Sequence, residues 1–119
     1  MKAILLVSHG SQSPRTKQEV SLLVDHLRQS LPEKIFEFAF LEVAGPSIPE
    51  GIDQCVEKGA SQVVLCLNFL NSGRHVNEDI PAIVQAAQQK YPKIGFSITK
   101  PVGQHAQMPD LFIDMINNA

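Results

Sequence analysis

Apolar positions along the chain fall into two alternating rhythms, one of strand length and one of helical spacing. Lys2 to Val7 is a nearly unbroken apolar run, the mark of a strand buried on both faces. A polar loop through Pro14 follows. Val20, Leu23, Val24, Leu27 and Leu31 then recur at helical spacing and predict a helix from about Arg15 to Leu31, stopped by Pro32. Ile35 to Val43, with Phe36, Phe38 and Phe40 in alternation, reads as a second strand. Ser47-Ile48-Pro49-Glu50 has the form of a capping box with an early proline, opening a helix that Gly59 closes. Gln62 to Leu67 is a third buried strand. Asp79-Ile80-Pro81 starts a helix to about Tyr91, its stripe carried by Ile80, Ile83, Val84 and Ala87. Ile94 to Thr99 is a fourth strand, and Pro109 to Asn117 a short final helix.

Strands separated by helices of this length need parallel crossovers, which are right-handed in nearly all cases. The expected fold class is therefore α/β, a small doubly wound, mainly parallel four-stranded sheet flanked by helices, in the flavodoxin-like order 2-1-3-4. With 119 residues and no repeat, low-complexity tract or linker, the reading is one domain over 1–119. In this order the first and third strands are neighbours, and the chain winds away from them in opposite directions. Their carboxyl ends form the crevice in which such folds bind ligands.

Composition narrows the function classes. Hydrophobic residues make up 44% and charged residues 18%, which argues against extensive disorder. A formal charge of -2 offers no footprint for nucleic acid. No apolar run approaches the roughly 20 residues that span a bilayer, so no membrane partner is expected. The apolar start ends at Ser8-His9-Gly10 and reads as a core strand, not a signal peptide. Cys55 and Cys66 form no Cys-x-x-Cys pair and fall on apolar faces. They read as buried free thiols, in keeping with a cytoplasmic location.

Two histidines stand where strands end. His9 follows the first strand in a turn, Ser8-His9-Gly10-Ser11, whose free N–H groups suit an anion. The plainer alternative for His9 is a capped loop with an exposed imidazole. His75 follows the third strand in Asn71-Ser72-Gly73-Arg74-His75, where Gly73 is expected to permit a sharp backbone path. Two imidazoles at one crevice suit a divalent metal or proton transfer. Glu42, ending the second strand, is either a proton acceptor and ligand or a surface acid paired with a base. Asp79 reads as a helix cap rather than a ligand, and Glu78 as a first-turn acid. Arg15, Lys17, Arg74 and Lys100 are expected to face the crevice and to suit a polyanion. His105 is placed at the rim, and His26 on a helix surface.

The segments Ser8-His9-Gly10-Ser11, Leu41-Glu42 with Pro46-Ser47-Ile48-Pro49, and Phe69-Leu70-x-x-Gly73-x-His75-x-x-x-Asp79-Ile80-Pro81 occur in order. With Gly103-x-His105 they resemble the short CbiX-type sirohydrochlorin chelatases of the class II chelatase superfamily, over nearly the whole chain. Ser8, Asn71-Ser72 and Ala106 depart from that family's usual residues. The resemblance implies insertion of a divalent metal into a reduced tetrapyrrole bearing many carboxylates: cobalt first, with ferrous iron or nickel as the other candidates. The metal is then a substrate, and no permanent organic cofactor is implied. It also implies a homodimer as the active species. His9 and His75 match the family's metal-binding and proton-accepting histidines, with Glu42 as a further acid. Ser8, Gly10, Ser11, Arg15, Asn71, Ser72, Gly73, Arg74 and His105 are the expected substrate contacts.

The residues fit that chemistry independently. Metallation exchanges two pyrrole protons for one cation, so the site needs ligands that release the metal and bases for the protons. Imidazole does both, with an unperturbed pKa of about 6.5. A competing reading is a non-catalytic metal or tetrapyrrole carrier on the same fold. A histidine phosphatase-like site would place arginine directly before the histidine, where this chain has Ser8.

Overall fold

A computed structural model describes residues 1–119. The chain runs β1 (Lys2–Ser8), α1 (Pro14–Ser30), β2 (Ile35–Phe40), α2 (Ile48–Glu57), β3 (Gln62–Leu67), α3 (Ile80–Lys90), β4 (Gly95–Ile98) and α4 (Met108–Asn117). A single π turn, His75–Asp79, leads into α3, and a 3-10 turn, Val102–Gln104, leads into α4. The four strands form one sheet in the order β2-β1-β3-β4, every pair parallel, as the alternation of strand and helix requires.

The central pair of strands carries the core. Ala3, Leu5 and Val7 of β1, with Val63, Leu65 and Leu67 of β3, point to one face and pack beneath Ile48, Ile52, Cys55 and Ile80 of the α2–α3 layer. On the opposite face Leu6, Phe36 and Phe40 meet Val20 and Val24 of α1. Truncating a buried leucine such as Leu5 to alanine costs about 2–5 kcal/mol in cores of this kind. The Ser47 capping box forms as read: the Ser47 hydroxyl accepts from the Glu50 N–H, and Glu50 accepts from the Ser47 N–H at 2.9 Å. The Ser47 N–H, followed by the Ser47 hydroxyl, holds the Glu50 carboxyl below its ordinary range.

Three features escape the periodicity. Glu37 lies in β2 but is only 9% exposed, where its carboxylate meets Lys58 and, at 3.6 Å, Arg28. This inward-facing ion cluster ties α1 and α2 together around the sheet's open edge, a position where a bare strand would recruit other chains. Asp53 of α2 accepts from the Tyr91 hydroxyl at 2.5 Å and from Lys90 at 3.1 Å, clamping α2 to the end of α3. The Tyr91 bond, with Lys90 behind it, keeps the Asp53 carboxyl below the usual carboxylate range. Boundaries also shift: β2 ends at Phe40 rather than Val43 and β4 narrows to Gly95–Ile98.

Cys55 is buried as expected, but Cys66 is only half-buried because no helix covers its side of β3. Burial, reinforced by the nearby Glu37 charge, pushes the Cys55 thiol up to about 12, whereas Cys66 is raised by burial and partly relieved by Thr99. A thiol reagent at pH 8 is therefore expected to label Cys66 first. Cys55 labels only as the protein unfolds. Equal labelling rates in native protein would contradict this packing.

Candidate metal centre

β1 ends at Ser8, and the backbone pairing does not stop there. Leu41 N–H donates to Ser8 O at 2.9 Å and Glu42 N–H to His9 O at 3.0 Å, prolonging the β1–β2 ladder past both strands. The residue beside His9 is thereby Glu42. Ala44 N–H then bonds back to Glu42 O at 2.8 Å across Val43, which sits at φ 72, so the chain reverses in a tight γ-turn immediately after the acid. A β-branched residue in that region is strained, and the strain is concentrated where the carboxylate must be aimed. Gly10, at φ +112, makes this approach possible: a Cβ there would stand 1.8 Å from the Glu42 carbonyl oxygen.

The third member arrives from β3. The π turn places His75 above the same edge, with its ring centroid 5.4 Å from that of His9. His9 Nε2 lies 2.7 Å from Glu42 Oε1. His9, Glu42 and His75 each offer one ligand atom, all within 4.8 Å of one another. His9 follows β1, Glu42 follows β2, and His75 stands in the π turn that follows β3 by way of a loop. His9 and Glu42 keep 49% of their side-chain surface exposed, so ligand positions face solvent rather than a closed cage.

Asp79 is not the helix cap that its place in the sequence suggests. It already has helical dihedrals and makes no capping bond; its Oδ2 lies 2.6 Å from His75 Nδ1. An ionised carboxylate only accepts, so Nδ1 carries the hydrogen and Nε2 keeps its lone pair for a cation. The signal was present as the i, i+4 spacing of His75 and Asp79, which puts both on one helical face. The expectation for Gly73 is also corrected: no positive φ occurs there, and a Cβ would meet open space. The glycine that packing demands nearby is Gly103, whose Cβ would fall 1.7 Å from the Leu70 carbonyl oxygen.

The other predicted contacts are scattered around this edge. Ser8 is buried and its hydroxyl accepts from Asn68 Nδ2 at 3.0 Å, at the floor of a cleft of about 400 Å³ that His9, Gly10, Thr16 and Glu19 also line. Asn68, Thr16 and Glu19 were not singled out by sequence pattern, because polar residues at strand and helix ends carry no periodic signal. Ser11 accepts from the Ser13 N–H at 3.0 Å. Arg15 is exposed in the first turn of α1, and Asn71, Ser72 and Arg74 are exposed in the loop before His75. Arg74 pairs with Glu78 at 3.2 Å. Lys17 lines a different opening, between α1 and Phe38 of β2, and not the cleft that His9 lines. His105 stands outside the cluster: its Nδ1 accepts from the Gln107 N–H at 3.0 Å, and it lines a separate opening with Lys100. His26 is on the surface of α1, as expected.

The CbiX family model matches residues 3–119. The chain is 34% identical over 119 residues to a chloroplastic sirohydrochlorin ferrochelatase of Arabidopsis thaliana, covering 97% of this chain and 49% of that protein. It is 35% identical over 109 residues to a sirohydrochlorin cobaltochelatase of Priestia megaterium, covering 90% of this chain and 35% of that one. The sirohydrochlorin chelatase SirB from Bacillus subtilis subspecies spizizenii, solved in complex with cobalt, superposes with a TM-score of 0.87 at 28% identity, over 98% of this chain and 50% of that chain. The chain thus spans half or less of the length of these relatives.

Two substitutions test the geometry. Asp79→Asn is expected to leave the melting temperature nearly unchanged while weakening cobalt(II) affinity about 10- to 100-fold, read by calorimetry, as loss of an imidazole's outer partner does elsewhere. Gly10→Ala is expected to destabilise the protein by more than about 1 kcal/mol, since its φ and the Glu42 carbonyl both oppose a side chain. Wild-type affinity in the first, or wild-type stability in the second, would contradict the site as described.

Proposed function

The chain belongs to the CbiX family, and from that premise we propose that it is a sirohydrochlorin chelatase that inserts a divalent metal into the metal-free macrocycle. The observation that carries this reading is the convergence of His9, Glu42 and His75 within 4.8 Å at the open carboxyl edge of the sheet. Cobalt is the metal of first choice, with ferrous iron and nickel as alternatives. The relatives named above act on both iron and cobalt, and an imidazole–carboxylate donor set accepts all three.

The chemistry follows from exchange. Without metal, one hydrogen bridges His9 Nε2 and Glu42 Oε1 across 2.7 Å. A divalent cation entering there displaces that proton and takes both atoms, with His75 Nε2, as ligands. Three protein donors leave coordination positions open toward the cleft for two pyrrole nitrogens. As each pyrrole nitrogen binds the ion it gives up its proton, and the imidazole or carboxylate released from the metal accepts it. The balance is one divalent ion in and two protons out. Asp79 holds the His75 ring through this exchange and keeps Nε2 the reactive nitrogen.

The substrate contacts proposed are Ser8, Gly10, Ser11, Arg15, Asn71, Ser72, Gly73, Arg74 and His105. The exposed loop cations are the natural partners for the macrocycle's carboxylates. A cytoplasmic setting fits the two free thiols, and no helix is long and apolar enough to cross a membrane. A homodimer is the working assembly in this proposal, as the family resemblance implies.

Metal-free sirohydrochlorin incubated with cobalt(II), ferrous iron or nickel(II) is expected to change its absorption spectrum faster with the protein than without it. His9→Ala and His75→Ala are each expected to slow insertion about 100-fold or more. Stoichiometric binding of metal or macrocycle with no acceleration for any metal would instead leave the protein a carrier.

A further inference from the structure

Two exposed aliphatic side chains at the carboxyl edge are not explained by packing. Val43 is 61% exposed and Leu70 65% exposed, and neither belongs to a core cluster. Each stands three residues beyond the end of its strand, Val43 after β2 and Leu70 after β3. Single exposed apolar residues are ordinary on a protein surface. This pair differs because the backbone of each is fixed at a definite place while its side chain is left in solvent.

Val43 is the costlier of the two. At φ 72, closed by the 2.8 Å bond from Ala44 N–H to Glu42 O, it holds a turn position that glycine or asparagine fills with less strain. A β-branched residue there is opposed by its own backbone and recovers little through burial. Leu70 is held by other means. Gly103 packs against its carbonyl, which also accepts from the Gln104 amide at 3.4 Å, and the adjoining Phe69 O accepts from the Gly103 N–H at 3.0 Å. Nothing inside this chain requires an apolar side chain at either turn.

Their placement supplies the reason. Val43 adjoins Glu42, and Leu70 opens the loop that leads to His75. In the order β2-β1-β3 the two turns flank the end of β1, from which His9 emerges. β2 and β3 are two strand spacings apart, about 10 Å. That is the scale of a tetrapyrrole ring, whose conjugated face is apolar and whose carboxylates lie on the periphery. Arg15 and Arg74, exposed around the same edge, supply cations for that periphery. We infer that Val43 and Leu70 are the apolar contacts for the flat face of the macrocycle, bearing on it from either side of His9, Glu42 and His75. The inference rests on the chelatase reading above and adds how the site recognises the ring itself. An aliphatic contact offers no lone pair, so it holds the ring without competing for the metal.

Titrating metal-free protein with metal-free sirohydrochlorin, followed by the macrocycle's fluorescence, tests this without turnover. Val43→Asn supplies a residue suited to the turn, and Leu70→Asn keeps a side chain at an exposed position. Each is expected to weaken macrocycle binding about 5- to 20-fold. The fold-loss is expected to be equal at about 0.1 M and about 1 M salt, since no charge is removed. Val43→Ile and Leu70→Met, which stay apolar, are expected to bind as wild type does. Cobalt(II) affinity by calorimetry is expected to stay within about threefold of wild type in all four, short of the loss that a misaimed ligand causes. Val43→Asn is also expected to raise the melting temperature by about 2–5 °C, because the backbone strain is eased. Wild-type macrocycle affinity in either asparagine variant overturns the inference. So does a matching fall in cobalt affinity, which would make these turns holders of the ligands and nothing more. A wild-type chain that binds no macrocycle sinks the chelatase reading and this contact with it, whereas tight binding that the substitutions leave untouched sinks the contact alone.

Discussion

Everything at the site depends on the pairing of β1 with two parallel neighbours in one register. Ser8 stands opposite Phe40 on one side, and Val7 opposite Leu67 on the other. Backbone hydrogen bonds impose that alignment with a tolerance of a fraction of an ångström, and the buried faces forbid a slip, since moving one residue would turn Leu5 and Val7 out of the core. His9 and Glu42 therefore leave their strands at one level, and the loop after β3 and its π turn bring His75 to the same edge. No side-chain affinity between His9, Glu42 and His75 is needed to assemble them. The scaffold holds them together, and the gap between them is the one proposed to take the cation.

The site is held by backbone and outer partners rather than by burial. Glu42 is aimed by the Gly10 approach and the Val43 turn; His75 is aimed by Asp79. In the proposed reaction this exposure lets an ion enter, pass to a large flat ligand and leave within it. A deeply buried set of the same three groups would bind the ion harder and release it more slowly. Neither cysteine belongs to the cluster of His9, Glu42 and His75. Cys55 is in the core with its thiol kept protonated by burial, and Cys66 is half-buried on the uncovered half of the sheet.

Sequence pattern predicted the strand order and the positions of His9, Glu42 and His75 because these depend on long apolar runs and on where those runs stop. It failed where one residue can serve two ends. Asp79 before Ile80-Pro81 looks like a cap, but a π turn had already begun at His75, and the carboxylate turned to the imidazole instead. Gly73, expected to permit a sharp backbone path, has open space around it, whereas Gly103 is pressed against Leu70, because steric need depends on which distant backbone comes near. Lys17 is on the right helix but lines a different opening.

The chain by itself determined its alternation of buried strands and amphipathic helices, and with it a parallel sheet whose carboxyl edge carries two imidazoles and an acid. That much follows from local periodicity and the right-handedness of crossovers, which act through neighbouring residues. Only the tertiary structure decided which carboxylate orients which ring and which glycine yields to a distant carbonyl. The same holds for the half of the sheet left bare while α4 stands unpacked. Those are outcomes of distances between segments remote in sequence, set when the layers pack, and no local pattern encodes them.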